Sequence, residues 1–428
     1  MNELGLLAVL LAVIAFALVS GRVQRSIITP PMVFVLFGLL ISPMALGLMP
    51  VEADNTFIHF LAEITLILVL FTDAARIDLR LLRKEHDLPV RLLLIGMPLT
   101  IGFGAMLALF VFPSLSFWEC ALLAAILAPT DAALGQAVVS SPKVPVRIRQ
   151  TLNVESGLND GIALPAVLIF AFLASHSSSH GGEGASYWMA FVSEQLILGP
   201  LAGIIVGLVG AKLLGLSIRF QWVNHSFRDL SVIALAFLAY FGAELIGGNG
   251  FIAAFTAGLT FGNITTDQCD CLYEFAESEG QLLNLLVFLF FGALMLPIVI
   301  TGTTWWIVLF GLLSLTAVRM IPVSLSLLGK HLRPETQIFV GWFGPRGLAS
   351  ILFVLLVVEE SSVPGSETIM MVVLTTVVLS IFLHGMTANP GTHWYEWTLT
   401  KCQSKGLSMT SEHQPVQEMP VRLPYSKK

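Results

Sequence analysis

Thirteen apolar segments, parted by charged or turn-forming residues, leave this chain very few ways to fold. They cover about residues 4–20, 31–49, 57–74, 91–112, 118–139, 151–173, 191–214, 230–246, 251–263, 281–300, 304–328, 336–358 and 368–386. The ninth is short for a spanning helix, and the others are about as long as a helix needs to be to cross a bilayer. Inside lipid only α-helices and closed barrels satisfy their own backbone, and these stretches are too long for barrel strands. Hydrophobic residues make up 56% of the chain and charged ones 12%, far too apolar for a water-soluble fold to hide. An all-α polytopic membrane protein is therefore expected, with one bundle of helices taking up nearly the whole chain.

Lysine and arginine orient that bundle. With the amino terminus outside, the inward loops carry Arg22 and Arg25; Arg76, Arg80, Arg83, Lys84 and Arg91; Lys143, Arg147 and Arg149; Lys212, Arg219 and Arg228; Lys330 and Arg333. The tail adds Lys401, Lys405, Arg422, Lys427 and Lys428, so the inward side holds twenty of the 22 basic residues. The outward loops hold none, which fits thirteen spans and a cytoplasmic carboxyl terminus. Only the acidic inward loop 265–280 dissents, and acidic residues weigh little in that rule. Residues 1–20 lack a basic leader and a small-residue cleavage site and read as a retained first span. Cys120, Cys269, Cys271 and Cys402 are too few for a disulfide framework. No His or further Cys stands beside Cys269 and Cys271, so they read as reduced thiols rather than a metal site.

Charge inside the spans is the functional signal. Residues 153–160 (NVESGLND) put Glu155, Ser156, Asn159 and Asp160 at the head of the sixth span. Helical spacing sets Glu155 with Asn159 on one face and Ser156 with Asp160 on the next. An ionised Asp at that depth costs about 2.5–3.5 kcal/mol, so such groups usually face a cavity or partner and mark an ion or proton path. The plain alternative is a helix that starts late, with both acids still at the water surface. Two basic residues fall within spans, Arg319 in the eleventh and Arg346 in the twelfth. Unless it snorkels to a helix end, a guanidinium in lipid needs an anion or backbone carbonyls, and Glu155 and Asp160 are candidate anions. Two spans also look broken. Pro129 interrupts the fifth beside Thr130 and Asp131, and Gly344, Pro345, Arg346 and Gly347 interrupt the twelfth. Written as six plus one plus six, both breaks fall in the fifth helix of a repeat, the arrangement of inverted-repeat transporters.

These motifs, with the closing FLHGMT at 382–387, resemble the NhaP-type sodium/proton antiporters of the monovalent cation:proton antiporter family. The likeness covers most of residues 1–390. It implies a thirteen-helix inverted-repeat antiporter bundle with broken, crossing fifth and twelfth helices, usually a homodimer. A core (about 91–173 and 304–388) would move against a dimer scaffold (about 4–74 and 191–300), with 391–428 as a short cytoplasmic tail. By motif match, Asp160 would bind either cation or proton, and Asp131, Thr130, Ser156 and Asn159 would line the same site. Glu155 would pair with Arg319, and Asp73 falls where relatives often place an acid. Gly157 departs from the larger apolar residue expected there.

The chemistry that follows is a competition. Asp160, Asp131, Ser156 and Thr130 offer the several oxygens that a small hard cation such as Na+ prefers. A poorly solvated carboxylate also tends to take a proton, so cation and proton would compete for Asp160. If the empty, ionised site is too costly to carry through an apolar gate, only loaded states cross. The resemblance implies that an Asn159–Asp160 pair exchanges one cation per proton, so electroneutral exchange of Na+ or Li+ for H+ is expected, with the plasma (inner) membrane as the expected location. K+/H+ exchange and a sodium-coupled organic-anion symporter are the alternatives. An intramembrane aspartyl protease would want a Gly-x-Gly-Asp motif that residues 157–160 do not supply. No enzyme activity, cofactor or nucleic acid is expected, only monovalent cations, protons, lipid and a second copy. His225 and the acids Glu274, Glu277 and Glu279 are candidates for pH sensing, although exposed charges are usually only solvated surface. The outward loop 175–184 is flexible by composition.

Overall fold

The computed structural model describes residues 3–23, 26–49, 55–84, 86–176, 185–265, 270–360, 363–404, 411–414 and 416, and among them there are helices and no strand. The Cys269–Cys271 pair, the side chains of His225, Glu274, Glu277 and Glu279, and most of the 175–184 loop lie outside the described residues. In chain order the helices are α1 (Glu3–Val23), α2 (Pro30–Ile41), α3 (Asn55–Ala75), α4 (Leu79–Lys84), α5 (Asp87–Arg91), α6 (Met97–Val111) and α7 (Phe117–Ile126). Next come α8 (Ala132–Val139), α9 (Val146–His176), α10 (Ala185–Arg219), α11 (His225–Glu244), α12 (Gly250–Thr265) and α13 (Asp270–Phe290). The last six are α14 (Leu296–Gly302), α15 (Trp305–Leu315), α16 (Ala317–Ser326), α17 (Pro334–Trp342), α18 (Leu348–Glu360) and α19 (Ser366–Ser404). Among the described residues, seven continuous helical stretches are long and apolar enough to cross a bilayer, and four shorter apolar helices join them.

Single π turns link α5 to α6 (Leu92–Gly96) and α13 to α14 (Phe291–Met295). Each stands just before a proline, Pro98 or Pro297, that has no N–H for the carbonyl one turn back. A widened turn accommodates the missing donor without ending the helix.

Packing falls into two groups. α3, α10, α11, α12 and α13 lie against one another, with α2 on α13. The second group gathers α6 to α9 with α15 to α19. Their meeting surface runs through α3, which touches both α9 and α18. On the first side the approach is very close. A Cβ on Gly262 of α12 would fall 1.9 Å from the Ala75 carbonyl oxygen of α3, so no larger residue fits there.

The structure departs from the sequence expectation in three places. The eleventh span is itself interrupted at Thr316, with φ −106° and ψ −92°, between α15 and α16. No proline announces it. The second span ends as helix at Ile41 and finishes in the hydrogen-bonded turns of 42–49. The thirteenth does not stop near Met386, and α19 runs to Ser404 with Pro390 inside it, past the boundary drawn at residue 390. Burial explains the extension, because Thr392, Tyr395 and Leu399 continue the packed face and Tyr395 stacks on Phe339 at 4.2 Å between ring centroids.

Candidate ion site

The breaks after α7 and α17 meet in the second group of helices. The backbone N–H of Asp131 donates to the Pro345 carbonyl at 2.7 Å, joining the two extended segments. Asp131 then serves both following helices. Its Oδ1 accepts from the N–H groups of Ala133 (2.7 Å) and Leu134 (3.3 Å) at the start of α8, and its Oδ2 accepts from Leu348 (2.8 Å) at the start of α18. One carboxylate therefore faces two positive helix ends. Arg346 does the converse. Its side chain is fully buried, and its Nη1 donates to the carbonyls of Ala128 and Pro129 that the first break leaves without helical partners. Of the two partner types open to a buried guanidinium, Arg346 takes carbonyls rather than Glu155 or Asp160. Ser350 Oγ satisfies a further one, the Ile126 carbonyl, at 2.8 Å.

The same geometry accounts for the glycines. A Cβ on Gly347 would land 2.0 Å from Asp131 Oδ2, and one on Gly344 would land 2.5 Å from Arg319 Nε. Arg319 in turn lies 2.6 Å from Glu155, Nη1 to Oε1, with both side chains buried. The first turn of α16, reset by the bend at Thr316, thus points a guanidinium at α9 and the second break.

α9 brings the remaining polar groups to the first break. Ser156 Oγ donates to the Thr130 carbonyl at 2.8 Å, and Asn159 Nδ2 donates to Thr130 Oγ1 at 2.6 Å. The amide oxygen of Asn159 is buried and accepts no hydrogen bond from the described residues. Such a group carries a desolvation cost of about 1–3 kcal/mol that a cation could offset. Asp160 follows on the same helix, 8% exposed, and Asp73 on α3 is 7% exposed and 3.9 Å from Arg76. Gly157 is the point of approach between them, since its absent Cβ would sit 3.1 Å from Ile77 Cδ1 and 3.6 Å from the Asp73 carbonyl oxygen. The departure noted at Gly157 thus lets α3 and its acid close on α9.

Reading the sequence missed the clamp that α19 sets on the second break. Ser380 Oγ accepts from the Arg346 N–H at 2.7 Å, and His384 Nε2 lies 2.9 Å from the Trp342 carbonyl with its ring stacked on the Trp342 indole. Trp342 Nε1 donates to Thr387 Oγ1 at 2.9 Å. The stretch 380–387 carried the signal, as Ser380, His384 and Thr387 lie at i, i+4 and i+7 on one helical face.

A family model described as "Sodium/hydrogen exchanger, transmembrane" matches residues 8–394. The K(+)/H(+) antiporter NhaP of Alkalimonas amylolytica is 25% identical over 416 residues, covering 96% of this chain and 68% of that protein. Na(+)/H(+) antiporter 2 of Zygosaccharomyces rouxii is 30% identical over 369 residues, 78% of this chain, which spans only 43% of that protein's length. Among solved structures, the sodium proton antiporter MjNhaP1 of Methanocaldococcus jannaschii at pH 8 superposes with a TM-score of 0.73 at 22% identity, over 91% of this chain and 98% of that one. The relatives are antiporters rather than enzymes. With two broken helices joined through Asp131 and Arg346, a polar cluster beside them on α9, and a family match over most of its length, this chain belongs to the sodium/hydrogen exchanger family and is of the NhaP type.

Proposed function

We propose that this chain exchanges Na+ or Li+ for H+ across a membrane, with the two ions competing for Asp160 in alternating access. The observation that carries the reading is the polar cluster around Thr130, in which the buried Asn159 amide oxygen lacks a hydrogen-bond donor next in sequence to Asp160. A hard monovalent cation prefers several oxygens at once. Asp160, Asn159, Ser156 and the Thr130 carbonyl would supply them, and Asp131 would line the site while its oxygens also hold the amides of α8 and α18. Asp73 would border it from α3. In this reading Glu155 and Arg319 are structural, a desolvated pair between α9 and α16.

The moving core would be about residues 91–173 and 304–388, working against a scaffold of about 4–74 and 191–300 as one thirteen-span inverted repeat, with the broken fifth and twelfth helices crossing. The end rich in Lys and Arg would face the cytoplasm, as the charge distribution favours, and the functional unit would be a homodimer in the plasma (inner) membrane. One acid beside an amide favours one cation per proton and electroneutral exchange. K+ in place of Na+ is the second reading, favoured by the activity named for the Alkalimonas relative. Everted vesicles test both: Na+, Li+ or K+ added outside should dissipate a pre-formed pH gradient, and Asp160→Asn should abolish the response while the protein remains folded in the membrane. No response from the unaltered chain to any of the three ions would remove the antiport reading.

A further inference from the structure

The two half-helices that lead into the breaks begin differently. α7 carries its own acid: Ser116 Oγ accepts from the Glu119 N–H at 3.3 Å, and Glu119 Oε2 accepts from the Ser116 N–H at 2.6 Å, a reciprocal cap. The other carboxylate oxygen, Oε1, accepts from the Gly365 N–H at 2.6 Å, just before α19. α17 has no such cap of its own. Its N-cap residue is Arg333, which makes no side-chain cap bond, and the third helical residue, where α7 has Glu119, is Thr336. The carboxylate arrives instead from residues beyond α19. Glu412 is fully buried, and its Oε1 accepts from the Arg333 N–H at 2.7 Å and from Thr336 Oγ1 at 2.8 Å. That is the bond to the N-cap amide that Glu119 makes in α7. Tyr395 of α19 closes the group through its hydroxyl, 2.9 Å from Thr336 Oγ1.

The neighbouring residues reach the other functional helix. Arg147, in the first turn of α9, donates through Nη1 to the Ser411 carbonyl at 2.6 Å and to Ser411 Oγ. Val416 borders a cavity with Leu82, Leu88, Pro89 and Val154, and Val154 is next to Glu155. Two consecutive residues of the tail thus tie the start of α17, which leads to Arg346, to the start of α9, which carries Asp160.

We infer that Glu412 is a positioning residue for transport: it supplies in trans the cap that α17 lacks and, with Ser411, locks α17 to α9 so that the second break and the α9 polar cluster keep their register. A negative charge at a helix N-terminus is favourable, and the acid also satisfies the Arg333 amide and shares the Thr336 hydroxyl with Tyr395. The tail is then part of the transport unit and not an appendage. The effect on transport rests on the antiport reading, whereas the docking itself does not.

Thr336→Glu rebuilds in α17 the cap that α7 has, which makes the test specific. In everted vesicles Glu412→Ala should raise the apparent KM for the transported cation by about threefold to tenfold at unchanged membrane content. Thr336→Glu combined with Glu412→Ala should bring it back toward the starting value. A KM that stays constant while only the amount of protein falls, or a rise that the double variant leaves untouched, would overturn the inference. Docking is read separately, by a thiol introduced with Ser411→Cys after the four native cysteines are replaced by serine. An impermeant maleimide should label it slowly, and at least tenfold faster once Glu412→Ala is added. Equal rates would sink the docking, whereas vesicles that exchange no cation in any form would sink only the antiport reading.

Discussion

The two breaks look alike in outline and differ in what surrounds them. The first, between α7 and α8, presents its free groups to side chains of α9: the Thr130 carbonyl takes the Ser156 hydroxyl, and the Thr130 hydroxyl takes the Asn159 amide. The second, between α17 and α18, is held by α19, with Ser380 on the Arg346 N–H and His384 on the Trp342 carbonyl. One break is engaged by residues that could exchange a hydrogen bond for an ion. Its counterpart is clamped and lends Arg346 to neutralise the first. Under the proposed function the two breaks would therefore divide the labour, one handling the cargo and the other holding it in shape.

The sharpest way to break that division is Arg346→Leu. It strands the Ala128 and Pro129 carbonyls, each a buried acceptor, at a cost of about 2–6 kcal/mol for the pair. Exchange should vanish and the melting temperature in detergent should fall; a variant that keeps both would show that the second break does not brace the first. Next in size is Gly347→Ala, whose methyl would meet Asp131 Oδ2 at 2.0 Å and should cost about 1–3 kcal/mol by overpacking. Gly135→Ala on α8, where a Cβ meets nothing within 4 Å, is the matched control and should leave thermal stability unchanged or slightly raised. Similar losses in both would point to the helix and not to the junction. The smallest effects separate the two roles most cleanly. Thr130→Val and Ser380→Ala each remove a hydroxyl worth about 1 kcal/mol. The first should raise the apparent KM for the cation, and the second should lower stability with KM nearly constant. The reverse pattern in vesicle assays would exchange the assignments.

Much of this was legible in the residues. Apolar runs revealed the helices, Pro129 and the 344–347 stretch marked both breaks, and the cost of charge in lipid singled out Glu155, Asp160, Arg319 and Arg346. What stayed hidden lacked a local signal. The bend at Thr316 has no proline or glycine beside it, and only the packed neighbours of Arg319 require it. The choice of carbonyls by Arg346 depends on which helix ends come together, information that is spread over more than two hundred residues of chain. Glu412 was harder still, because an acid in a polar tail reads as solvated surface until the unfilled cap of α17 comes beside it.

α19 adds a mechanical consequence. At 39 residues it is about 58 Å long. Glu119 bonds the residue that precedes it, Ser380 and His384 grip the second break at its middle, and Tyr395 joins the Glu412 group toward its far end. A rod fastened at three levels behaves as a strut: it cannot shift at one face of the membrane without carrying the other face along. Under the proposed alternating access, spectroscopic labels near its two ends should therefore report displacements of equal size and the same timing.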